Sequence, residues 1–278
     1  MSMTLPDLSS HPMSAALSRV RLITRVAGAV QSASTPESTG PEHRELHLSP
    51  RGFRTGILAG GTELWIDLLQ HNIRVVSVDG AVTTVDTTDS DAATITESVA
   101  QAIRRRSGDL EVDPPAVDSN PAPLRTAPAA ELLTGWAGVH DVLSTIRARI
   151  AAPSTAVTVD PDTLDVGIRV YSGVMPPGAS GPGETIRVWL SPGQEHGDEP
   201  AFLAELTPAA SRPHFELRPS GAKWDEDSAR ARLVYRAIAP RSDWQTALQW
   251  FCDSSVAALA QAARWDIRAL SPAALGAQ

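Results

Sequence analysis

Two histidines four residues apart, His43 and His47, are the first residues of the chain whose spacing could support chemistry. On a helix this spacing points both imidazoles the same way, as a bound metal ion requires. Glu45 does not stand where a zinc protease has its glutamate, and the segment adjoins a linker-like stretch rather than a helix. We therefore expect a solvated segment here and predict no metal site.

Three aspartates, Asp160, Asp162 and Asp165, could offer carboxylate oxygens to Ca²⁺ or Mg²⁺. They lack the glycine and the terminal glutamate of an EF-hand loop, and Pro161 is typical of a turn that joins strands. An enzyme site assembled from scattered Asp, Glu and His, for example Asp160, Asp162 and His214, stays open as an alternative, because active-site residues meet in space. The pattern predicts no cofactor.

The remaining reactive residue types point away from catalysis. Lys223 is the only lysine in the chain, so any mechanism that needs a lysine must use it. Cys252 is the only cysteine and lies in an apolar helical pattern, which favours an inert, buried thiol. Gly56, Gly60 and Gly61 match neither the phosphate-loop nor the dinucleotide fingerprint. No catalytic residue is predicted, and a non-catalytic protein is favoured without excluding an enzyme.

Composition sets the broad class. The 278 residues carry a formal net charge of -8, which argues against a protein that coats nucleic acid through bulk charge, although a local basic patch is compatible with it. A single cysteine fits a reducing cytoplasm. No apolar run reaches the roughly 18 residues of a transmembrane helix, and arginines 19, 21 and 25 interrupt the only stretch like a signal peptide. We expect a cytoplasmic protein of bacterial type.

An apolar stripe near the start predicts an amphipathic helix over residues 13–30, within a flexible N-terminal extension of residues 1–45. Because a polar linker follows the helix, we expect another molecule to cover its apolar face. Leu17, Val20, Ile23 and Ala27 are therefore predicted to bind a protein partner. A helix lying on a membrane surface and the first helix of the fold itself are the alternatives.

The rest of the chain predicts an α+β fold of two subdomains, each an antiparallel sheet with helices. Residues 46–110 are predicted to form a β-meander followed by a helix that Ser90 caps, and the proline-rich residues 111–128 a linker. Residues 129–270 are predicted to form the second subdomain, with strands over Val166–Tyr171 and Thr185–Leu190 and a short helix over Pro200–Leu206. Residues 271–278 are predicted to be a tail.

Two tryptophans and one basic run suggest surface contacts. Trp224 lies in a polar turn and Trp250 lies off the apolar stripe of the last predicted helix, so both are predicted to contact a partner. The run Arg104, Arg105 and Arg106 is typical of a helix C-terminus, where cations offset the helix dipole. A patch that contacts phosphates is the alternative for these arginines.

Two stretches resemble a known family. Gly56-Ile-Leu-Ala-Gly-Gly-Thr-Glu-Leu-Trp65 resembles the hairpin that follows the catalytic core of type I-like restriction nucleases. The segments Arg232-Leu-Val-Tyr235 and Asp243 to Trp250 resemble a C-terminal domain of unknown function found beside such nucleases. These nucleases carry a lysine upstream of the hairpin, and this chain has no lysine before Lys223. The resemblance thus implies at most a nuclease-related accessory protein without cleavage activity.

Three functions follow from these observations. A non-catalytic adaptor or assembly protein that binds a protein partner is favoured, because the tethered helix needs a cover. An accessory protein of a restriction or anti-phage defence system that contacts nucleic acid through Arg104–Arg106 is the second function. An enzyme with a dispersed site is the third.

Overall fold

A computed structural model gives the fold of residues 4–35, 41–58, 60–117, 120–173, 183–193, 199–208, 213, 215–225 and 229–266. The α-helices are α1 (His11–Ser34), α2 (Ala92–Ser107), α3 (Thr126–Arg149) and α4 (Trp244–Ala262). Short 3-10 helices lie at Pro41–Arg44 and Tyr235–Ala237. The strands are β1 (Leu46–Ser49), β2 (Gly52–Arg54), β3 (Thr62–Asp67), β4 (Asn72–Ser77), β5 (Val82–Asp86), β6 (Thr158–Val159), β7 (Val166–Tyr171), β8 (Thr185–Ser191), β9 (Ala201–Thr207), β10 (Ala222–Trp224) and β11 (Ala231–Val234). The predicted α+β class is confirmed.

The chain divides into two compact units. The N-terminal unit comprises Leu8–Ala137 and Val159–Leu164, and the C-terminal unit comprises Met1–Asp7, Gly138–Thr158 and Asp165–Gln278. In the described part of the chain, no helix has both the length and the apolarity needed to cross a bilayer.

The N-terminal unit holds the antiparallel strands β1 to β5 in chain order. Side chains alternate between the two faces of such strands, so Leu64 and Ile66 are buried while Trp65 between them points outward. Phe53 of β2 is also buried and packs against Trp136 of α3, with ring centroids 5.4 Å apart. One face of this sheet is therefore core, and the other is an outer face.

Helix α1 packs within this same unit, against α2 and β3. Its fully buried Arg19 donates hydrogen bonds to the backbone carbonyls of Thr87, Thr88 and Ser90, which lie between β5 and α2. Burial lowers the pKa of Arg19, and the nearby aspartates of that segment oppose the shift. Since a buried cation needs such partners, Arg19 fixes the loop before α2 to α1.

The C-terminal unit holds a second antiparallel set of strands in the order β10-β11-β9-β8-β7. Ile186, Val188 and Leu190 of β8 are buried, and α4 packs against β8 and β9. Trp189 and Arg187 alternate with these residues and point to the outer face. The predicted strands over Val166–Tyr171 and Thr185–Leu190 are confirmed.

Two local predictions are wrong. Pro200–Leu206 is not a helix but belongs mainly to β9, because this segment gains hydrogen bonds to β8 on one side and β11 on the other. Asp91 rather than Ser90 caps α2, since the Asp91 carboxylate accepts the Thr94 N–H at 2.8 Å.

Candidate functional site

The residues predicted to bind a partner through α1 are covered by the protein itself. Leu17, Val20, Ile23 and Ala27 are all buried, and α1 lies against α2 and β3. The prediction that this apolar stripe needs another molecule is therefore wrong. Its burial inside the chain already removes the apolar surface from water, which leaves none for a partner.

The two tryptophans predicted to contact a partner differ. Trp224 is buried, and its indole Nε1–H donates to the Phe215 carbonyl at 2.8 Å, so the prediction that it is exposed is wrong. Its position on β10, with Lys223 pointing the opposite way, explains the burial. Trp250 on α4 is 48% exposed, and its role as a partner contact stays a prediction.

Arg104, Arg105 and Arg106 lie in the last turn of α2, where cations were predicted. Arg104 donates to both carboxylate oxygens of Glu97 at 2.9 Å, and the Arg106 guanidinium lies 3.9 Å from Asp79. Carboxylates of the protein itself thus compensate two of the three charges. That these arginines bind nucleic acid stays a prediction.

The dispersed enzyme site stays a prediction, because only its two aspartates lie among the described residues. The Asp160 carboxylate accepts the backbone N–H groups of Asp162 and Thr163 and so shapes a turn. The Asp162 carboxylate pairs with Arg44 at 2.9 Å. His214 lies outside the described residues, among which no three His, Cys, Asp or Glu are grouped to hold a metal ion.

The outer face of the N-terminal sheet carries an exposed tryptophan and arginines, residue types that often contact partners. Trp65 is 42% exposed at its centre, with Arg54 of β2 opposite on one side and Arg74 of β4 on the other. Val76 and Val82 form the neighbouring cross-strand pair. We call this surface the Trp65 face, and it consists of Arg54, Glu63, Trp65, Arg74, Val76 and Val82.

Both arginines of the Trp65 face are paired with carboxylates. Arg74 donates to Asp67 at 3.0 Å, while Arg54 lies 3.8 Å from Glu63. Glu63 also accepts the Trp65 Nε1–H at 2.7 Å. Burial and the charge of Arg54 lower the pKa of His47, which lies opposite Arg54. Trp65 itself remains 42% exposed.

The outer face of the C-terminal sheet is built differently. One row across five strands consists of Gly167, Trp189, Leu203, Arg232 and Lys223, and the next of Arg169, Arg187, Glu205 and Arg230. We call these two rows the Trp189 face. Trp189 is only 5% exposed, because it clusters with the buried Ala201 and Leu203 and the guanidinium carbons of Arg187 and Arg230 lie 4.5 and 5.9 Å from its ring centroid.

Basic side chains dominate the Trp189 face. Its two rows hold five of them and one carboxylate, Glu205, while the carboxylates of Asp165, Glu184, Glu199 and Asp225 lie in the adjoining described segments. Asp165 pairs with Arg187 at 3.1 Å and Glu205 with Arg230 at 2.8 Å. The cations spread from β7 to β10, about 19 Å for strands about 4.8 Å apart. This distance is larger than the diameter of one small anion, and it matches the length of several charged groups of an extended polyanion.

Sequence reasoning missed both faces. Each strand shows its alternation locally, and Arg169, Arg187 and Arg232 stand at polar positions of alternating runs. The cross-strand register places them on one surface. Because Pro200–Leu206 was predicted to be a helix, the central strand β9, which lies between β11 and β8, was not predicted.

Comparison with known proteins identifies a family. The model of a family of unknown function matches residues 5–272. No curated protein matches the chain, and no solved structure does. None of these findings relates the chain to restriction nucleases, so that resemblance stays a prediction.

Proposed function

Because the chain belongs to the DUF5996 family, a family of unknown function, we propose its function from its own surface: it is a non-catalytic protein that binds single-stranded nucleic acid through the Trp189 face. The observation that carries this proposal is the basic surface on a protein whose net charge is -8. From the second function predicted from the sequence it keeps the nucleic-acid contact but not the defence-system role, and it moves the contact from Arg104–Arg106 to other residues.

The chemistry of the Trp189 face supports a single strand over a duplex. Reading a duplex takes a helix or ribbon that enters a groove, whereas a sheet offers a flat platform. Single strands bind where cations follow the backbone and flat groups stack with bases. Arg187 and Arg230, held over Trp189, offer guanidinium planes for bases. Arg169, Arg232 and Lys223 add positive charge for phosphates to the same face, where Arg232 also donates to the Glu199 carbonyl oxygen.

A salt-dependent titration tests the proposal. Fluorescence anisotropy of labelled oligo-dT and oligo-U, about 20 nucleotides long and thus longer than one common site size, is recorded with increasing salt. We expect binding at low salt that weakens as salt rises. The triple substitution Arg169→Gln, Lys223→Gln and Arg232→Gln should weaken binding and lower the slope of log K against log salt by about 2, from about 0.7 per lost phosphate contact.

The matched control is Arg104→Gln, Arg105→Gln and Arg106→Gln, which removes the same charge from α2. It should retain the affinity and the salt slope of the unmodified protein. Absence of binding at low salt overturns the proposal. Equal losses in the two triple variants also overturn it, because they would show an effect of net charge rather than of this face.

A further inference from the structure

Exposed apolar residues are concentrated at one end of the N-terminal sheet. In addition to Trp65, three described residues there have large exposed apolar side chains: Ile57 (78% exposed), Val78 (88% exposed) and Val82 (52% exposed). Val78 is fixed by a backbone hydrogen bond to Gly61, and Val82 pairs with Val76 across β4 and β5. Trp65 and Val82 lie on β3 and β5, and Val78 directly follows β4. Exposed apolar residues gathered in this way mark an interaction surface, whereas scattered ones do not.

The charges of the Trp65 face are arranged as a loosely joined opposite pair. Arg54 and Glu63 are 3.8 Å apart, compared with 2.6 Å between Arg51 and the buried carboxylate of Asp67 on the same sheet. A positively charged partner would be repelled by Arg54, and a negatively charged partner would be repelled by Glu63. A two-fold related copy meets each of them with the opposite charge, because in such an interface residue i contacts j and j contacts i.

We propose that the Trp65 face binds the same face of a second copy of this chain, in a two-fold symmetric dimer. Trp65, Val76 and Val82 form its apolar centre, and Arg54 of each copy pairs with Glu63 of the other. This inference is independent of nucleic-acid binding by the Trp189 face. It also gives the protein-binding function expected from the sequence a definite occupant, on a surface other than α1.

Oligomeric state is the first test. Sedimentation equilibrium of the full chain, at protein concentrations up to about 0.2 mM, should show a concentration-dependent dimer. Trp65→Ala should weaken the dimer about 30-fold, as expected for a central tryptophan of an interface. Trp250→Ala removes a similarly exposed tryptophan from α4 and should leave the dimer unchanged. A monomer at all concentrations, or equal effects of the two substitutions, overturns the proposal.

Charge reversal tests the symmetry. Arg54→Glu and Glu63→Arg should each weaken the homodimer, because each places like charges across the two-fold axis. An equimolar mixture of the two variants should form a heterodimer about as tight as the unmodified homodimer, since both cross-pairs are then opposite in charge. A pair that acts only within one copy cannot produce this rescue. Failure of the mixture to associate, with both variants folded by circular dichroism, overturns the proposal.

Discussion

The two units carry a tryptophan at the same kind of place, the outer face of an antiparallel sheet close to arginines, yet one indole is partly exposed and the other is covered. Trp65 is 42% exposed and Trp189 is 5% exposed. The arginine beside Trp189 lies over its ring at 4.5 Å. Residue types alone therefore do not decide whether such a tryptophan is available to a partner.

Two features differ: Trp189 clusters with the buried Ala201 and Leu203, and the neighbouring carboxylates are placed differently. Asp165 lies beyond Trp189 as seen from Arg187, so the guanidinium that reaches it at 3.1 Å crosses the indole. Around Trp65 the carboxylates flank the ring instead, and Arg74 leans to Asp67. An arginine over a ring gains cation–π attraction and excludes water. The arrangement around Trp189 gives a basic surface, whereas the arrangement around Trp65 leaves part of the indole available for an apolar contact.

The largest expected effect comes from removing each tryptophan in turn. Trp189→Ala should lower the free energy of unfolding by about 3 kcal/mol, because it deletes a large buried side chain. Trp65→Ala should cost less, about 1 kcal/mol, since 42% of that residue is already exposed in the folded protein. Urea unfolding at low protein concentration, where a dimer has dissociated, measures both. Equal losses would contradict the comparison.

A smaller effect should follow from filling the space opposite Trp189. Gly167 is its cross-strand partner, and an added Cβ would lie 2.6 Å from both the Trp189 Cβ and the Val188 carbonyl oxygen. Gly167→Ala should therefore cost about 2 kcal/mol of unfolding free energy. Gly56→Ala in the N-terminal unit, where an added Cβ meets nothing within 4 Å, is the control and should not destabilise. A neutral Gly167→Ala would show that this close approach does not hold Trp189 in place.

These contrasts show what the sequence could and could not predict. Alternation predicted the strands that carry Arg169 and Arg187, and the 3.6-residue period predicted α1. Helical periodicity indicates that an apolar stripe must be buried, but it does not indicate whether the same chain or another molecule buries it. The burial of Leu17 within its own chain was therefore not predicted. The register between β9 and β11 joins segments about 30 residues apart, and no local pattern encodes it.

The smallest expected effect tests the carboxylate that draws Arg74 aside. Burial opposes ionisation of Asp67, but hydrogen bonds from Arg51 and from the backbone N–H of Gln70 outweigh it, so the pKa of Asp67 lies below its ordinary value. Its ionised form therefore contributes stability that is present above about pH 4 and is lost as the pH falls through the pKa of the folded state.

Asp67→Asn should accordingly cost about 1.5 kcal/mol at pH 7, and its deficit relative to the unmodified protein should shrink as the pH falls below about 4. Urea unfolding at pH 7 and at successively lower pH measures the deficit, with Asp243→Asn, an exposed carboxylate paired with Arg241, as the control of smaller effect. A deficit that does not change with pH would mean that packing rather than charge holds Arg74. The exposure of Trp65 would then need a cause other than the position of its carboxylates.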